Sequence, residues 1–482
     1  MTLAEFARVV FLRLDWAILF YFLVVNLFYG VLLVAAAFEM RSHNRKVWGE
    51  SRWRILGSEL TPLLSILVPA YNEEATVAQS VRGLLTLRYP NLEVVVVNDG
   101  SADRTLEVLI EEFQMVPVHP IYRKQLDSDE VRGIYRSYFE PGLVVVDKVN
   151  GGKADALNAA LNIASGELVC SIDADTLIEP DALLRIVRPF LLGRDVAAAG
   201  GTIRVANAST IRGGRLVEST VSTKPIVGFQ IAEYLRGFLF GRLGWNRLGG
   251  NLIISGAFGL FHRKSAIAAG GYLRGTVGED MELVARLRRR SYDEGGPSRI
   301  EFIPDPVAWT EVPESLRVLG RQRDRWHRGL ADVLWRYKGL LLNPRYRALG
   351  WVVYPYFFFV ELLAPVIELL GLLGLGVGLL IGAVNLEFAL LFLLVAYGLG
   401  AVFTLYTLVV EEFAYHQYDS IRDRVKLVIW VFFENLGYRQ MTVLWRLRGI
   451  VRFLRKRTDW GAMTRTGFQQ AAASGGPEKT ES

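Results

Sequence analysis

Leu168-Val169-Cys170-Ser171-Ile172-Asp173-Ala174-Asp175 runs from a short apolar strand directly into two carboxylates. Only small or apolar residues precede Asp173, so the acidic pair arrives abruptly at a strand end. Hard divalent cations take a few carboxylate oxygens together with phosphate oxygens. Two aspartates one residue apart can share that task. The same tripeptide also suits turn or cap chemistry ahead of Pro180-Asp181, so its meaning depends on what else reaches the same edge.

Upstream, residues 63–68 form an apolar run that ends at Pro69, as a buried parallel strand would. Residues 77–87 have helical spacing, 93–97 and 143–146 read as strands, and 103–113 and 154–164 as helices. Strands alternating with helices predict a parallel sheet with right-handed crossovers. Ligands in such sheets sit beyond the carboxyl ends of the strands. Those ends are polar here. Pro69-Ala70-Tyr71-Asn72-Glu73-Glu74 closes the first strand. Asn98-Asp99-Gly100-Ser101 closes the second, with an Asp99 carboxylate able to accept from a base or ribose and Ser101 suited to capping a helix. Gly151-Gly152-Lys153 opens a helix whose N-terminus suits a diphosphate, although the Walker A spacing is missing.

The chain of 482 residues is 51% hydrophobic yet 22% charged, a profile of a water-soluble core joined to membrane segments. Residues 16–38 carry no charge, and at ~1.5 Å per residue they exceed a ~30 Å hydrocarbon core. They are too long for a signal-peptide core and read as a retained anchor. Arg41, Arg45, Lys46, Arg52 and Arg54 follow and place that side in the cytoplasm. Residues 351–384, with Pro365 as a kink, and 388–410 are two further spans. The apolar run 425–433 precedes a strongly basic segment and reads as an amphipathic helix on the cytoplasmic face. The expected organisation is an N-terminal segment 1–15, a span 16–38, a basic linker 39–59 and an α/β domain 60–345. Spans fill 346–412, interfacial helices and a tail motif 413–470, and a disordered tail 471–482. A net charge of +6 admits nucleic-acid binding, but the basic residues line the membrane edge and no nucleic-acid motif appears. One cysteine, Cys170, excludes an intramolecular disulfide and a Cys-based zinc site.

The order Pro-Ala-Tyr-Asn-Glu, Asn-Asp-Gly-Ser, Gly-Gly-Lys-Ala-Asp-Ala-Leu-Asn and Asp-Ala-Asp resembles family 2 glycosyltransferases with the Rossmann-like GT-A fold. Ser255-Gly256-Ala257-Phe258-Gly259, Gly278-Glu279-Asp280 and Gln322-Arg323-Asp324-Arg325-Trp326 extend the likeness to the processive membrane branch of cellulose, chitin, hyaluronan and poly-N-acetylglucosamine synthases. The resemblance implies that Ala70, Tyr71, Glu73, Asp99 and Lys153 line the nucleotide-sugar pocket. It implies that Asp173 and Asp175 hold the nucleotide and a Mg2+ or Mn2+ ion, and that Asp280 is the catalytic base. Gln322, Arg325 and Trp326, with Gly256, Ala257 and Phe258, would lie beside the diphosphate and acceptor. The charged insertion 123–142 and the segment 204–250 have no counterpart in the pattern.

The implied activity is inverting, metal-dependent transfer from a UDP-sugar to a growing polysaccharide, coupled to export through a multi-pass inner (plasma) membrane protein whose catalytic domain is cytoplasmic. Membrane lipid and an accessory export or regulatory subunit are expected partners, and nucleic acid is not. Two other readings remain open on the sequence: transfer of a single sugar to a membrane lipid carrier, and a non-enzymatic nucleotide-sugar receptor that would not need Asp280 or Arg325.

Overall fold

The computed structural model describes residues 3–49, 61–174, 176–193, 195–212, 215–295, 299–415, 417, 418 and 420–456. Asp175, the segment 50–60 and the tail from 457 onward, including the aromatic and basic motif at 459–468, lie outside the described residues.

Valine- and leucine-rich runs make the centre of the sheet because they are buried on both faces. Strands β1 (Leu64–Ala70) and β2 (Leu92–Asp99) pair in parallel. β5 (Leu143–Lys148) continues on the β2 side and β6 (Leu168–Ser171) on the β1 side, both parallel. Around these four the sheet is mixed rather than parallel. β3 (Met115–Val118) and β4 (Val131–Ser137) add antiparallel strands at one edge. They carry the charged insertion, and a five-residue connection from β4 to β5 leaves length for a hairpin but not for a crossover helix. On the other side β11 (Gly259–His262) runs antiparallel between β6 and β8 (Val196–Val205). β12 (Arg299–Thr310) pairs in parallel with β8, and β7 (Leu177–Ile178) closes that edge. Ten strands thus follow the order β3-β4-β5-β2-β1-β6-β11-β8-β12-β7. Two short strands, β9 (Thr210–Arg212) and β10 (Arg215–Glu218), form a separate ribbon. Cys170 is fully buried in β6.

Among the described residues, Arg13–Lys46 and Leu386–Tyr415 are long and apolar enough to cross a membrane. Leu349–Leu362 and Ala364–Leu380 make a third such element if taken together, bent by 45° at a break beside Pro365. The run 425–433 lies in the helix Ile421–Phe433, which meets the helix Arg439–Leu454 at a kink around Leu436 and Gly437.

These apolar helices are tied to the sheet by buried polar contacts, which in low dielectric must be paired to be tolerated. Arg204 of β8 donates to Glu411 at 2.8 Å. Arg236 donates to Glu434 at 2.7 Å and to Thr404 at 2.9 Å. Asn246 donates to Glu39 at 3.0 Å, and His43 meets Asp305 at 2.7 Å. These contacts join the helices at Glu39 and His43, at Thr404 and Glu411, and at Glu434 to strands or helices of the sheet domain.

The orientation expected from the basic flanks is open to labelling, because buried Cys170 leaves a silent background. A membrane-impermeant maleimide added to intact cells should modify Glu387→Cys and leave Arg455→Cys untouched. The opposite pattern would reverse the assignment.

Candidate functional site

The carboxyl ends of β1, β2, β5 and β6 share one edge, where Ala70 pairs in register with Asn98, and Asp99 with Lys148. The loops after β1 and β2 are stitched together. The Asn72 amide donates to Ser101 Oγ at 3.0 Å, and Asn72 Oδ1 accepts from the Ala102 amide at 2.8 Å. The Glu73 amide donates to Thr105 Oγ1 at 2.8 Å. Ser101 therefore ties two loops and does not cap the Thr105–Phe113 helix, whose first amide is met by Asp103 at 3.0 Å. Gly100 has φ +66°, and a Cβ there would collide with the Asn150 backbone, so the turn requires glycine. Ala70 is buried, while Tyr71 projects with 52% of its surface exposed.

Asp99 is almost fully buried and already has partners. Its carboxylate accepts from Lys148 Nζ at 2.6 Å, from the Gly151 amide at 3.0 Å and from the Gly152 amide at 2.8 Å. The amides ahead of the Lys153–Ile163 helix thus serve Asp99, where the sequence suggested a diphosphate. The reason is distance: the β2 carboxylate ends beside that helix and supplies the anion its N-terminus favours. Lys148 is fully buried and also meets Asp155 at 2.5 Å. Asp155 in turn pairs with Arg274, which reaches Asp129 of the charged insertion at 3.2 Å. Of these, the sequence named Asp155 only within the Gly-Gly-Lys motif and Asp129 only within the charged insertion, and Lys148 and Arg274 not at all. Their partners lie far apart in the chain, and only the Asp147-Lys148 pair that closes the apolar run 143–146 hinted at them.

Lys153 occupies the centre of the edge. Its ammonium lies 2.6 Å from Asp173 and 3.4 Å from Glu279, with Asp280 also acting on it. Burial works against the charge, but these carboxylates outweigh it and hold Lys153 above the ordinary lysine value. Burial pushes the Glu279 carboxyl up, and Lys153 opposes that shift. Asp280 accepts from the Gly256 amide at 3.0 Å and from the Met281 amide at 2.8 Å. Gly256 therefore touches the expected base, whereas Phe258 is fully buried in the core and Ala257 packs against it. Phe258 supports the site from below and cannot face an acceptor. Arg242, from the unmatched segment, lies over the Phe238 ring at 4.2 Å. Burial lowers it to about 10 against the pull of Asp280, so it stays charged at neutral pH.

The helix Leu316–Arg336 carries the Gln-x-x-Arg-Trp segment and is bolted to the Asp280 segment at three points. Thr276 donates to Asp332 at 2.7 Å and Tyr337 to Glu282 at 2.5 Å. Between them Gly278 and Gly329 cross so closely that a Cβ on either would lie 3.2 Å from the other's Cα. That crossing accounts for glycine at 278. Gln322 is buried with its Oε1 unpartnered, Arg325 is half-buried and Trp326 is 44% exposed under the Arg323 guanidinium at 4.5 Å. Asp324 is clamped by Arg452 at 2.6 Å and Arg448 at 3.4 Å from the Arg439–Leu454 helix. His327 turns away from the edge: Nε2 meets the Leu362 carbonyl at 3.1 Å and Nδ1 meets Arg446 at 3.3 Å.

Among the described residues no three His, Cys, Asp or Glu side chains gather as a metal-binding group. Asp173 presents its carboxylate at this edge, 2.6 Å from the Lys153 ammonium. A site of two carboxylates completed by phosphate oxygens is the usual arrangement for Mg2+.

A mixed sheet with acidic groups at the carboxyl ends of its central strands is the GT-A architecture of glycosyltransferases. Residues 65–266 match the model of glycosyl transferase family 2, and residues 168–409 match that of glycosyl transferase family group 2. The chain belongs to this family. A poly-beta-1,6-N-acetyl-D-glucosamine synthase of Staphylococcus epidermidis is 31% identical over 276 residues, 57% of this chain and 56% of the relative. The corresponding synthase of Staphylococcus aureus (strain COL) is 28% identical over 275 residues, again 56% of its length. The chain thus spans little more than half of these curated relatives. A mannosyltransferase from Pyrobaculum calidifontis, solved in complex with GDP-Man and Mn2+, superposes with a TM-score of 0.51 at 19% identity. That match covers 88% of this chain and 99% of the other, and it concerns the fold.

Two outcomes follow from this geometry. Gly329→Ala must separate two backbones, which costs about 1–3 kcal/mol of stability. It should also lower turnover about tenfold or more through misplacement, while Gly339→Ala, where a Cβ meets open space, changes neither. Wild-type turnover in Gly329→Ala would show that the crossing does not set the site. The second concerns pH. Burial and Arg446 hold His327 down to about 3, below its usual ~6.5, so it is neutral when folded. Unfolding restores proton binding, so its contribution is complete above about pH 6.5 and is lost as pH falls toward 3. The free energy of unfolding should fall between pH 7.5 and 5.5 by about 1 kcal/mol more in wild type than in His327→Asn. Equal drops would remove His327 from the account.

Proposed function

We propose that this chain is an inverting, metal-dependent glycosyltransferase that extends a polysaccharide at the cytoplasmic face of the inner membrane. The donor class is a UDP-sugar, and the synthase relatives favour UDP-N-acetylglucosamine. The observation that carries the reading is the half-buried Asp280 carboxylate, held by two backbone amides beside the Lys153–Asp173 pair. Two backbone amides fix it in place, and among the described residues no cation lies within salt-bridge distance of it.

Asp280 accepts the proton of the acceptor hydroxyl. The acceptor oxygen then forms its bond to the anomeric carbon from the face opposite the diphosphate. The carbon–oxygen bond to the diphosphate breaks, and the nucleoside diphosphate leaves with the electron pair. Lys153 and Arg325 would meet the charge that develops there. Trp326 offers an exposed indole face for the acceptor sugar. Tyr71 projects from the strand edge as a surface for the base. Asp173 and Asp175 would hold Mg2+ or Mn2+, which when bound neutralises diphosphate charge. The polymer leaves through the adjoining membrane helices, with an accessory export or regulatory subunit as a further partner.

Purified full-length chain should consume UDP-N-acetylglucosamine only with Mg2+ or Mn2+ and release a polymer resolved by mass spectrometry. Asp280→Asn should bind nucleotide as wild type does but turn over about 10²–10⁴-fold more slowly. Turnover equal to wild type would sink the base assignment, and a product of one sugar on a lipid would sink the polymer reading.

A further inference from the structure

A groove of about 780 Å³ lies away from the sheet edge. It runs between the helices Leu3–Gly49 and Leu399–Tyr415, with the Arg236–Arg242 turns at its side. One end is apolar, where Leu33, Ala36 and Ala37 share the lining with Phe240 and Tyr406. At the other end Met40 gives way to Arg41, Asn44 and Arg45. A second recess of about 560 Å³ shares Arg41 and Arg45 and adds Lys46 and Arg247.

The lining positions 33, 36, 37, 40 and 44 recur at helical spacing and form one face of the first membrane helix. From Leu33 to Arg45 that face rises ~18 Å at ~1.5 Å per residue, close to half of a ~30 Å hydrocarbon core. The groove is therefore about one leaflet deep, apolar toward the membrane centre and basic at the cytoplasmic end. The nearby carboxylates do not neutralise it. Glu411 is taken by Arg204 and Glu412 by Arg424. Glu39 reaches Arg247 at only 3.8 Å. Arg41, Arg45 and Lys46 are exposed, and no carboxylate among the described residues pairs with them.

We infer that this groove binds an anionic phospholipid. Its phosphate meets Arg41, Asn44, Arg45 and Arg247, and one acyl chain lies along Ala36 and Ala37 between the two helices. Guanidinium groups match phosphate oxygens in geometry as well as charge. Basic pockets between membrane helices on the cytoplasmic side suit anionic headgroups. A free phosphate would use the basic end alone and leave the apolar face without an occupant. The inference rests on the membrane placement of these helices and is independent of the sugar transferred.

Native mass spectrometry of the full-length chain, titrated with phosphatidylglycerol, phosphatidylcholine and glycerol 3-phosphate, tests it. Phosphatidylglycerol should bind at least tenfold more tightly than phosphatidylcholine, and glycerol 3-phosphate should not compete. The double variant R41Q/R45Q should lose that preference. Ala37→Phe, which fills the apolar end and keeps every charge, should lose the bound lipid. Equal binding of the two lipids, competition by glycerol 3-phosphate, or an unaltered preference in R41Q/R45Q would overturn the site. Failure of the wild-type chain to float with vesicles would instead overturn the membrane placement itself.

Discussion

An ammonium held among carboxylates organises this molecule. Lys153 opens the helix after β5, Asp173 follows β6, and Glu279 with Asp280 opens the Glu279–Glu294 helix. Three distant parts of the chain meet at that cation. Each carboxylate that meets this half-buried cation ties its segment to the others. A fully buried cation, Lys148, joins Asp99 and Asp155 in the same way. The two lysines together fix the sheet edge, and the Gly256 and Met281 amides fix Asp280 beside it.

The C-terminal helix Arg439–Leu454 reaches this arrangement through the helix Leu316–Arg336. Leu316–Arg336 touches the Asp280 segment on one side at Gly278 and the Arg439–Leu454 helix on the other at Asp324. Trp326 and Arg325 sit between these two clamps in sequence and in space. A shift of the C-terminal helix would therefore be felt at Arg325 and Trp326. That coupling is mechanical, through packed backbone and paired charges, and it requires no long-range field.

Much of the sheet was legible because local chemistry marked it. Apolar runs ended in polar residues at β1, β2 and β6, and the intervening helices carried helical spacing. The antiparallel edge was not legible, since β4 lies in a charged segment and buries only Ile134 and Ser137 without a regular alternation. Side-chain direction was also hidden: Phe258 belongs to the core although its neighbour Gly256 meets Asp280. Long-range pairs leave no periodic trace. Asp99 and Lys148 are 49 residues apart, and Asp324 and Arg452 are 128 apart. The role of the Gly151 and Gly152 amides followed from such a pair, and a motif alone pointed elsewhere.

The central claim is that donor and acceptor meet over the Lys153–Asp173–Asp280 cluster. A structure of the full-length chain in a lipid bilayer, with UDP-N-acetylglucosamine, Mn2+ and a short acceptor, tests it directly. The account predicts the diphosphate beside Lys153 and Asp173, the acceptor ring on Trp326, and the attacking hydroxyl within about 3 Å of Asp280. A donor bound away from this edge, or an acceptor hydroxyl facing a different carboxylate, would contradict it.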